Sequence, residues 1–568
     1  MQVKPAYLFK HFHLDLPSQT HSLADAFFHR ARMQPHALAV CDSLGYKLTY
    51  GQLLVRSVVL ANLLKKSLNS SICVGIMLPP SAGAVIANVA VALLGKVAVN
   101  LNYTAGQKAF DHYVKACNIK HIITAQAAAK RINLEYSAKL IYIESAQQDA
   151  DLITKIKSLG ESNLVPEMFV GEFLAGLSRN HRINPECLGL RKGPMSQHIN
   201  GKENDPALVI FTAGSTSEPK GVVLSHKNIL SNIQAIKEQG QIKSAEVLLG
   251  IIPFFHSFGL TMTLWAPLCL GETVVYHYDP FDARRIGELC ESFKATCFIC
   301  TPTMMSIFSR RLRKEQFRSL RNCIVGGEKL GVKQSRDIEN FLGFAPIQGY
   351  GLAETSPVVA CNVPNHVTLP DGKVIDGNRI GTVGLPIPGT SVKITDPSTG
   401  QELSARRAGL ILVSGPQVML GYLGQPETTA KAVNEGWFNT GDIGFLDEDG
   451  FLTVTGRISQ FSKVAGEMIS HIVVEDALLE ASGAQAGSLS VTAVPDEKRG
   501  ERLVVIYSQL PRSAESIVES LRQGALPLLW IPNARDFIKV DKLPILANGK
   551  LNLKEVKRLA LDATQTKG

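Results

Sequence analysis

The chain lacks any apolar run long enough to cross a bilayer. Its longest, residues 82–95, is about 14 residues with Asn88 inside, whereas a spanning helix needs about 20. That stretch predicts a buried helix instead. No secretory leader is expected either: residues 1–22 carry His, Asp and Pro and no apolar h-region. No run of Lys and Arg approaches a nucleic-acid-binding arm. The 59 Lys plus Arg exceed the 50 Asp plus Glu by a scattered +9, so no nucleic-acid partner is expected. Such an excess reads as a solvated mixed surface, compatible also with an acidic partner or an anionic membrane. The ten Cys have no regular spacing and lie mostly inside apolar runs, among them Cys73, Cys297, Cys300 and Cys323. They predict reduced, buried thiols of a cytoplasmic protein. Cys297-x-x-Cys300 has the spacing of half a zinc site, but no second pair accompanies it. Core packing in a strand is expected there. Internal repeats and low-complexity tracts are absent too.

What is present is globular: 568 residues, 45% hydrophobic and 19% charged. That length exceeds one core, so two or more domains are expected. Helices are predicted over 23–33 (capped by Ser22), 50–64 (capped by Thr49), 82–94, 226–236, 258–268, 284–291 and 301–311. Strands are predicted over 38–41, 74–77, 97–101, 121–124, 139–143, 247–251, 272–276 and 297–300. This alternation implies parallel α/β layers. Residues 176–205 read as a linker or surface excursion. From residue 381, short β runs (392–394, 410–413, 441–446, 452–455) predict a β-rich subdomain, and a compact α+β tail of about 110 residues follows. The expected fold class is therefore α/β. A large N-terminal domain, 1–457, would comprise layered α/β subdomains plus the β-rich one, and a small mobile α+β domain, 458–568, would complete the chain.

Residues 211–221 read Phe-Thr-Ala-Gly-Ser-Thr-Ser-Glu-Pro-Lys-Gly between two apolar runs. Gly214 and Gly221 would let backbone approach an anion. Thr212, Ser215, Thr216 and Ser217 can donate to phosphate oxygens, and Lys220 supplies a point charge. This is the composition of a phosphate-binding loop on a strand-turn-strand scaffold. It is not a Walker loop, because no Gly-Lys is followed by Ser or Thr and a strand comes next. Further along come Pro253-Phe254-Phe255-His256-Ser257-Phe258-Gly259, Gly326-Gly327-Glu328, Gln348-Gly349-Tyr350-Gly351-Leu352-Ala353-Glu354 and Trp437-Phe438-Asn439-Thr440-Gly441-Asp442. Arg457, Lys463-Val464-Ala465-Gly466-Glu467 and Pro544-x4-Gly549-Lys550 complete the series. A carboxylate such as Glu354 suits a hard cation on phosphates, and an aromatic face such as Tyr350 can sandwich a base. Singly, several have plain readings: an incidental His256 at a helix start, Asp442 as a turn cap, a solvated Lys550.

In this order the motifs resemble the adenylate-forming superfamily of acyl-CoA synthetases, nonribosomal adenylation domains and luciferases, over roughly residues 20 to 560. The resemblance implies a nucleotide loop at Thr212, Gly214, Ser215, Thr216 and Lys220. It implies adenine contacts at Gly327, Glu328, Gln348, Gly349 and Tyr350, with ribose contacts at Asp442 and Arg457. Phe255, His256 and Gly326 would line an acyl pocket. Glu354 would ligate Mg²⁺, and Lys550 would be the catalytic cation between the carboxylate and the α-phosphate. Gln460 would be the hinge, and Gly466 would make room for pantetheine in a thiol tunnel. Four residues depart from the family pattern: Ala213, Ser217, Ala353 (usually Thr) and Gln460 (usually Asp or Lys). Asn102-Tyr103-Thr104-Ala105-Gly106 and Phe461…Lys463…Gly466-Glu467-Met468 resemble the ligase domain of the bacterial 2-acylglycerophosphoethanolamine acyltransferase/acyl-[acyl-carrier-protein] synthetase, here as a stand-alone ligase part.

The implied activity is ATP- and Mg²⁺-dependent conversion of a medium- to long-chain fatty acid to acyl-AMP. Transfer to a phosphopantetheine thiol of acyl carrier protein or CoA would follow. The uncharged stretch 258–268 favours an apolar chain over an amino acid. The alternatives are an aryl acid or amino acid activator, an acyl-AMP ligase feeding a synthase, and a degenerate protein that binds nucleotide or acyl chains without turnover. An apolar substrate is compatible with a cytoplasmic protein making peripheral contact at the inner membrane surface. Oligomeric state is left open.

Overall fold

The computed structural model describes residues 22–144, 188, 202–212, 219–240, 246–369, 372–485, 487–524, 526–545 and 551–565. Helix starts follow the caps read from sequence. Ser22 Oγ accepts from Asp25 N at 3.1 Å, and Thr49 forms a reciprocal capping box with Gln52 at the head of Tyr50–Ser67. The apolar stretch is the buried helix Ala82–Leu93. Its one polar core residue, Asn88, is satisfied by Ala84 O at 2.9 Å and by exchange with Asn100. Among the described residues, no helix is long and apolar enough to cross a membrane.

Two large sheets dominate. A nine-stranded sheet runs Leu385–Pro386, Val358–Cys361, Ile347–Gly351, Asn322–Val325, Cys297–Cys300, Val247–Gly250, Thr273–Tyr276, Leu38–Asp42, Lys47–Thr49. Its middle is parallel and its edges antiparallel. A seven-stranded sheet runs Gly421–Tyr422, Gly221–Ser225, Pro206–Phe211, Val97–Asn100, Cys73–Met77, His121–Thr124, Lys139–Tyr142. One core lies between them: Val40, Leu248 and Val274 meet Ile76, Leu208 and Leu224 through Phe27, Val89, Ile233 and Trp265 of the intervening helices. Parallel strands buried on both faces explain the continuous apolar runs. Cys297 and Cys300 are fully buried in their strand. All nine described cysteines are free and buried.

The segment expected as one helix over 258–268 is broken. It has α turns at Ser257–Gly259 and Ala266–Leu270 with a π-helical stretch, Leu260–Trp265, between them. Pro267 has no N–H to give Thr263 O. The Tyr276 hydroxyl donates to that carbonyl instead, at 2.5 Å. The loss of one ladder bond is thus compensated from the sheet, and the local widening is retained.

The β-rich part is an antiparallel sheet of Ser391–Thr395, Gly409–Ser414, Trp437–Leu446, Val433–Asn434 and Leu452–Arg457. A single 3₁₀ turn, Ile458–Gln460, separates it from the last sheet, which begins at Phe461–Val464. That sheet and the helices His471–Ser482, Ala514–Arg522 and Leu553–Gln565 have their own buried cores around Val491, Val505 and Ile517 and around Val504 and Val556.

Candidate active site

The carboxyl ends of the parallel strands in open α/β sheets form ligand crevices, and the candidate residues gather there. The phosphate loop springs from the hairpin Pro206–Phe211 and Gly221–Ser225. Its ends are pinned by Thr212 N donating to Lys220 O at 3.0 Å and by His112 Nε2, 2.9 Å from Pro219 O. Gly214, Ser215 and Thr216 lie outside the described residues, as does Lys550. Gly221, expected to admit an anion, also lies against neighbouring strands. A Cβ there would stand 3.1 Å from Leu423 Cβ and 3.2 Å from Val209, so its bare backbone allows close strand packing.

Tyr350, at the end of the strand Ile347–Gly351, donates its hydroxyl to Asp442 Oδ2 at 2.6 Å. Arg457 Nε meets Asp442 Oδ1 at 3.2 Å, because Asp442 and Arg457 are paired across adjacent strands. The Asp442 side chain is 6% exposed and that of Arg457 60%. Burial raises the Asp442 carboxyl above the usual range, and Arg457 and the Tyr350 hydroxyl oppose that rise. The same burial, with Asp442 alongside, pushes the Tyr350 phenol well up. Three residues distant in sequence thus form one hydrogen-bonded unit.

Glu354 sits on the 3₁₀ turn Ala353–Thr355 and is buried. Burial pushes its carboxyl up, against its own backbone N–H, the Tyr422 hydroxyl, Arg457 and Lys220. The Tyr422 hydroxyl donates to Glu354 Oε1 at 2.9 Å, and Lys220 Nζ lies 4.6 Å from the centre of the Tyr422 ring. The buried Glu354 carboxylate is an oxygen donor of the kind a hard cation takes, and Lys220 and Arg457 act on it from the candidate phosphate loop and from the strand Leu452–Arg457. Thr355 cannot replace the missing hydroxyl at Ala353. Its Oγ1 is committed to Pro357 O at 2.6 Å and to both backbone groups of Leu352.

Gly326 and Gly327 close the strand Asn322–Val325, and Gly327 has φ +78, the turn conformation glycine permits. A Cβ on Gly326 would stand 3.3 Å from the Phe258 ring and 3.5 Å from Gly349 O. The expected pocket segment therefore abuts the Gln348-Gly349-Tyr350 strand. Phe255 is buried and meets Tyr103 edge-on at 5.3 Å, while His256 is exposed beside it. The Glu328 carboxylate accepts from Thr303 N at 3.2 Å, in the first turn of the helix Pro302–Arg311. Gln460 is half-buried on the connecting 3₁₀ turn. Ala465 and Gly466 form a two-residue hairpin turn with φ +49 and +87, and nothing lies within 4 Å of a Cβ built on Gly466. Lys463 on the same hairpin reaches Ser398 Oγ at 2.7 Å. Tyr422, Tyr103 and His112 touch candidate residues or the loop end, and the sequence motifs assign no site role to any of them. Only Tyr103 lay in a motif that had been singled out.

The profile of AMP-binding enzymes matches residues 27–423, which include the phosphate hairpin, Tyr350, Glu354 and Tyr422. The chain belongs to the AMP-binding enzyme family. Within this family, a long-chain-fatty-acid–CoA ligase of Bacillus subtilis (strain 168) is 29% identical over 560 residues, covering 94% of each chain. A feruloyl-CoA synthase of Amycolatopsis sp is also 29% identical, over 535 residues, covering 93% of this chain and 97% of its own. Among solved structures, o-succinylbenzoate CoA synthetase of Bacillus subtilis in complex with its acyl-adenylate intermediate superposes with a TM-score of 0.72. Its identity is 23%, and the match covers 94% of this chain and 97% of that one. ATP-bound MatB of Rhodopseudomonas palustris gives 0.70 at 24% identity, over 95% and 98%. These two likenesses carry the adenylate-forming fold.

Proposed function

We propose that the protein is an AMP-forming acid–thiol ligase that activates a medium- to long-chain fatty acid and passes it to CoA. The observation carrying this reading is the joining of Tyr350, Asp442 and Arg457 in one unit beside the buried Glu354 and the Lys220 end of the phosphate hairpin. In the first half-reaction a carboxylate oxygen attacks the α-phosphorus of ATP, the bond to the bridging oxygen breaks, and pyrophosphate leaves. Asp442 and Arg457 hold the ribose, Tyr350 covers the base, and Thr212, Gly214, Ser215, Thr216 and Lys220 hold the phosphates. Mg²⁺ bound at Glu354 supplies neutralisation of polyphosphate charge. Lys550 sits between the two reacting anions, offsets their repulsion and orients them.

In the second half-reaction the thiol sulfur attacks the acyl carbon, the bond to the phosphate oxygen breaks, and AMP leaves with the thiol proton passing to solvent. The unit 458–568 turns on the unit 1–457 about Ile458–Gln460, withdrawing Lys550 and bringing the Ala465-Gly466 turn in. Supporting this, the last ladder of the β-rich sheet ends at Arg457 and the next begins at Phe461. The uncharged, largely apolar segment 257–270 beside Phe255 favours an alkyl chain. An aryl acid is the second reading, carried by the feruloyl-CoA synthase at the same identity. ATP–pyrophosphate exchange with straight-chain, aryl and amino acids, followed by thioester assays with CoA and with holo acyl carrier protein, decides between them. Absence of exchange with every acid would overturn the ligase reading.

A further inference from the structure

Tyr422 connects the two charged halves of the candidate phosphate site. The short strand Gly421–Tyr422 pairs with the strand that leaves the phosphate loop, Tyr422 opposite Val222. Its backbone is fixed on both sides: Tyr422 N donates to Thr429 Oγ1 at 2.9 Å, and Leu423 N to Gly221 O at 2.7 Å. The side chain is 4% exposed. From this fixed position its hydroxyl holds Glu354 and its ring face holds Lys220. Among the described residues, neither Lys220 nor Glu354 takes part in an ion pair within 4.0 Å. A lysine and a carboxylate brought to opposite parts of one side chain could pair if that side chain did not hold each of them, and each would then be lost to a ligand.

We propose that Tyr422 is a positioning residue that keeps Lys220 and Glu354 apart, the cation stored on its ring and the carboxylate oriented by its hydroxyl, so that both remain available to a polyphosphate and its divalent cation. This rests on the nucleotide-ligase reading. A ring–cation contact is weaker than a desolvated ion pair and yields its lysine more readily to phosphate. A hydroxyl donating to a metal-binding carboxylate is the kind of outer contact whose loss costs about 10- to 100-fold in metal affinity.

Titration calorimetry with a non-hydrolysable ATP analogue, in EDTA and across a Mg²⁺ series, tests the proposal without turnover. Tyr422→Phe keeps the ring, so metal-free affinity should stay within about 2-fold while half-saturating Mg²⁺ rises about 10-fold or more. Tyr422→Leu should also weaken metal-free binding, because Lys220 then falls onto Glu354. Glu354→Gln in that background should restore it. An unchanged Mg²⁺ dependence in Tyr422→Phe would overturn the hydroxyl role, and this variant decides even if Tyr422→Leu does not fold. Metal-free binding that Glu354→Gln fails to restore would overturn the spacer role. Wild-type protein that binds neither AMP nor the analogue would show that the ligase reading itself had failed.

Discussion

Replacing Asp442 with Asn separates a ligand-holding role from a structural one. The carboxylate is buried, and it accepts from the Tyr350 hydroxyl at 2.6 Å and from Arg457 Nε at 3.2 Å. Asn keeps the shape and one acceptor oxygen but loses the charge. Hydrogen bonds to a charged group are worth about 1.5–3 kcal/mol each. If Asp442 accepts ribose hydroxyls, loss of its charge should cost about 2–3 kcal/mol of ATP binding, or about 30- to 150-fold in kcat/KM for ATP. A ribose contact is equal in ground and transition states, so the loss should fall on KM rather than kcat. Stability should behave differently. Burial already raises the Asp442 carboxyl, which means the native state holds that charge at a cost above the acid range. The Arg457 partner is mostly exposed, so the lost ion pair is worth little. The melting temperature of Asp442→Asn should therefore stay within about 2–4 °C of wild type. Pyrophosphate-exchange rates with ATP varied at saturating acid, and thermal melts on the same samples, measure both quantities. A KM for ATP raised less than about 3-fold, or a melting temperature lowered by about 8 °C or more, would refute the reasoning.

Lys550→Ala should slow pyrophosphate exchange by about 10²–10³-fold, as loss of one preorganised charge does, while sparing thioester formation from supplied acyl-adenylate. Near-normal exchange would remove Lys550 from the first half-reaction. Gly466→Trp should do the reverse, because the open space at that turn is where a thiol arm would pass. Its φ of +87 adds local strain, so a melt accompanies the assay, and unchanged thioester output with CoA would discard the tunnel. Glu272 is buried, donates no charge to the site, and accepts from Glu246 N. Burial, with Glu246 alongside and Arg30 opposing, raises its carboxyl to about 7. The unfolded chain ionises this group first as pH climbs, so its contribution to stability falls between the ordinary carboxylate pKa and about 7 and is level above that. Glu272→Gln should thus gain about 1–3 kcal/mol relative to wild type between pH 5 and pH 8. A difference in melting temperature that does not change with pH would contradict that origin.

The elements most legible in the sequence were those whose physics is local. Ser22 and Thr49 cap the helices expected of them, and the apolar runs became the buried strands Cys73–Met77 and Cys297–Cys300. The motif residues that converge, Tyr350, Asp442 and Arg457, were legible through the ordered resemblance to the adenylate-forming superfamily; singly, Asp442 reads as a turn cap. Features set by distant partners were not legible. The π stretch Leu260–Trp265 depends on the Tyr276 hydroxyl taking the carbonyl that Pro267 leaves free. The close approach of Leu423 and Val209 to Gly221 is set by distant partners in the same way. Tyr422 carries no motif, and its importance comes from Glu354, 68 residues earlier, and from Lys220.

Among the described residues, the candidate site's cations Lys220 and Arg457 are stored in different ways, and the difference follows from what each must do. Arg457 rests on Asp442, paired across adjacent strands and largely in solvent. There an ion pair contributes about 0–1 kcal/mol and is opened at little expense when ribose hydroxyls come to the same carboxylate. Lys220 shares Tyr422 with the buried Glu354. In such surroundings an ion pair would be far harder to break, because separating buried partners strands a charge at about 3–5 kcal/mol. Resting the ammonium on the Tyr422 ring, at about 0.5–2 kcal/mol, avoids that trap. The site therefore meets its nucleotide with Asp442 lightly engaged, Glu354 oriented but unneutralised, and Lys220 close at hand. A polyphosphate displaces only weak contacts on arrival, so nearly all the attraction of Lys220 for phosphate is available to hold ATP.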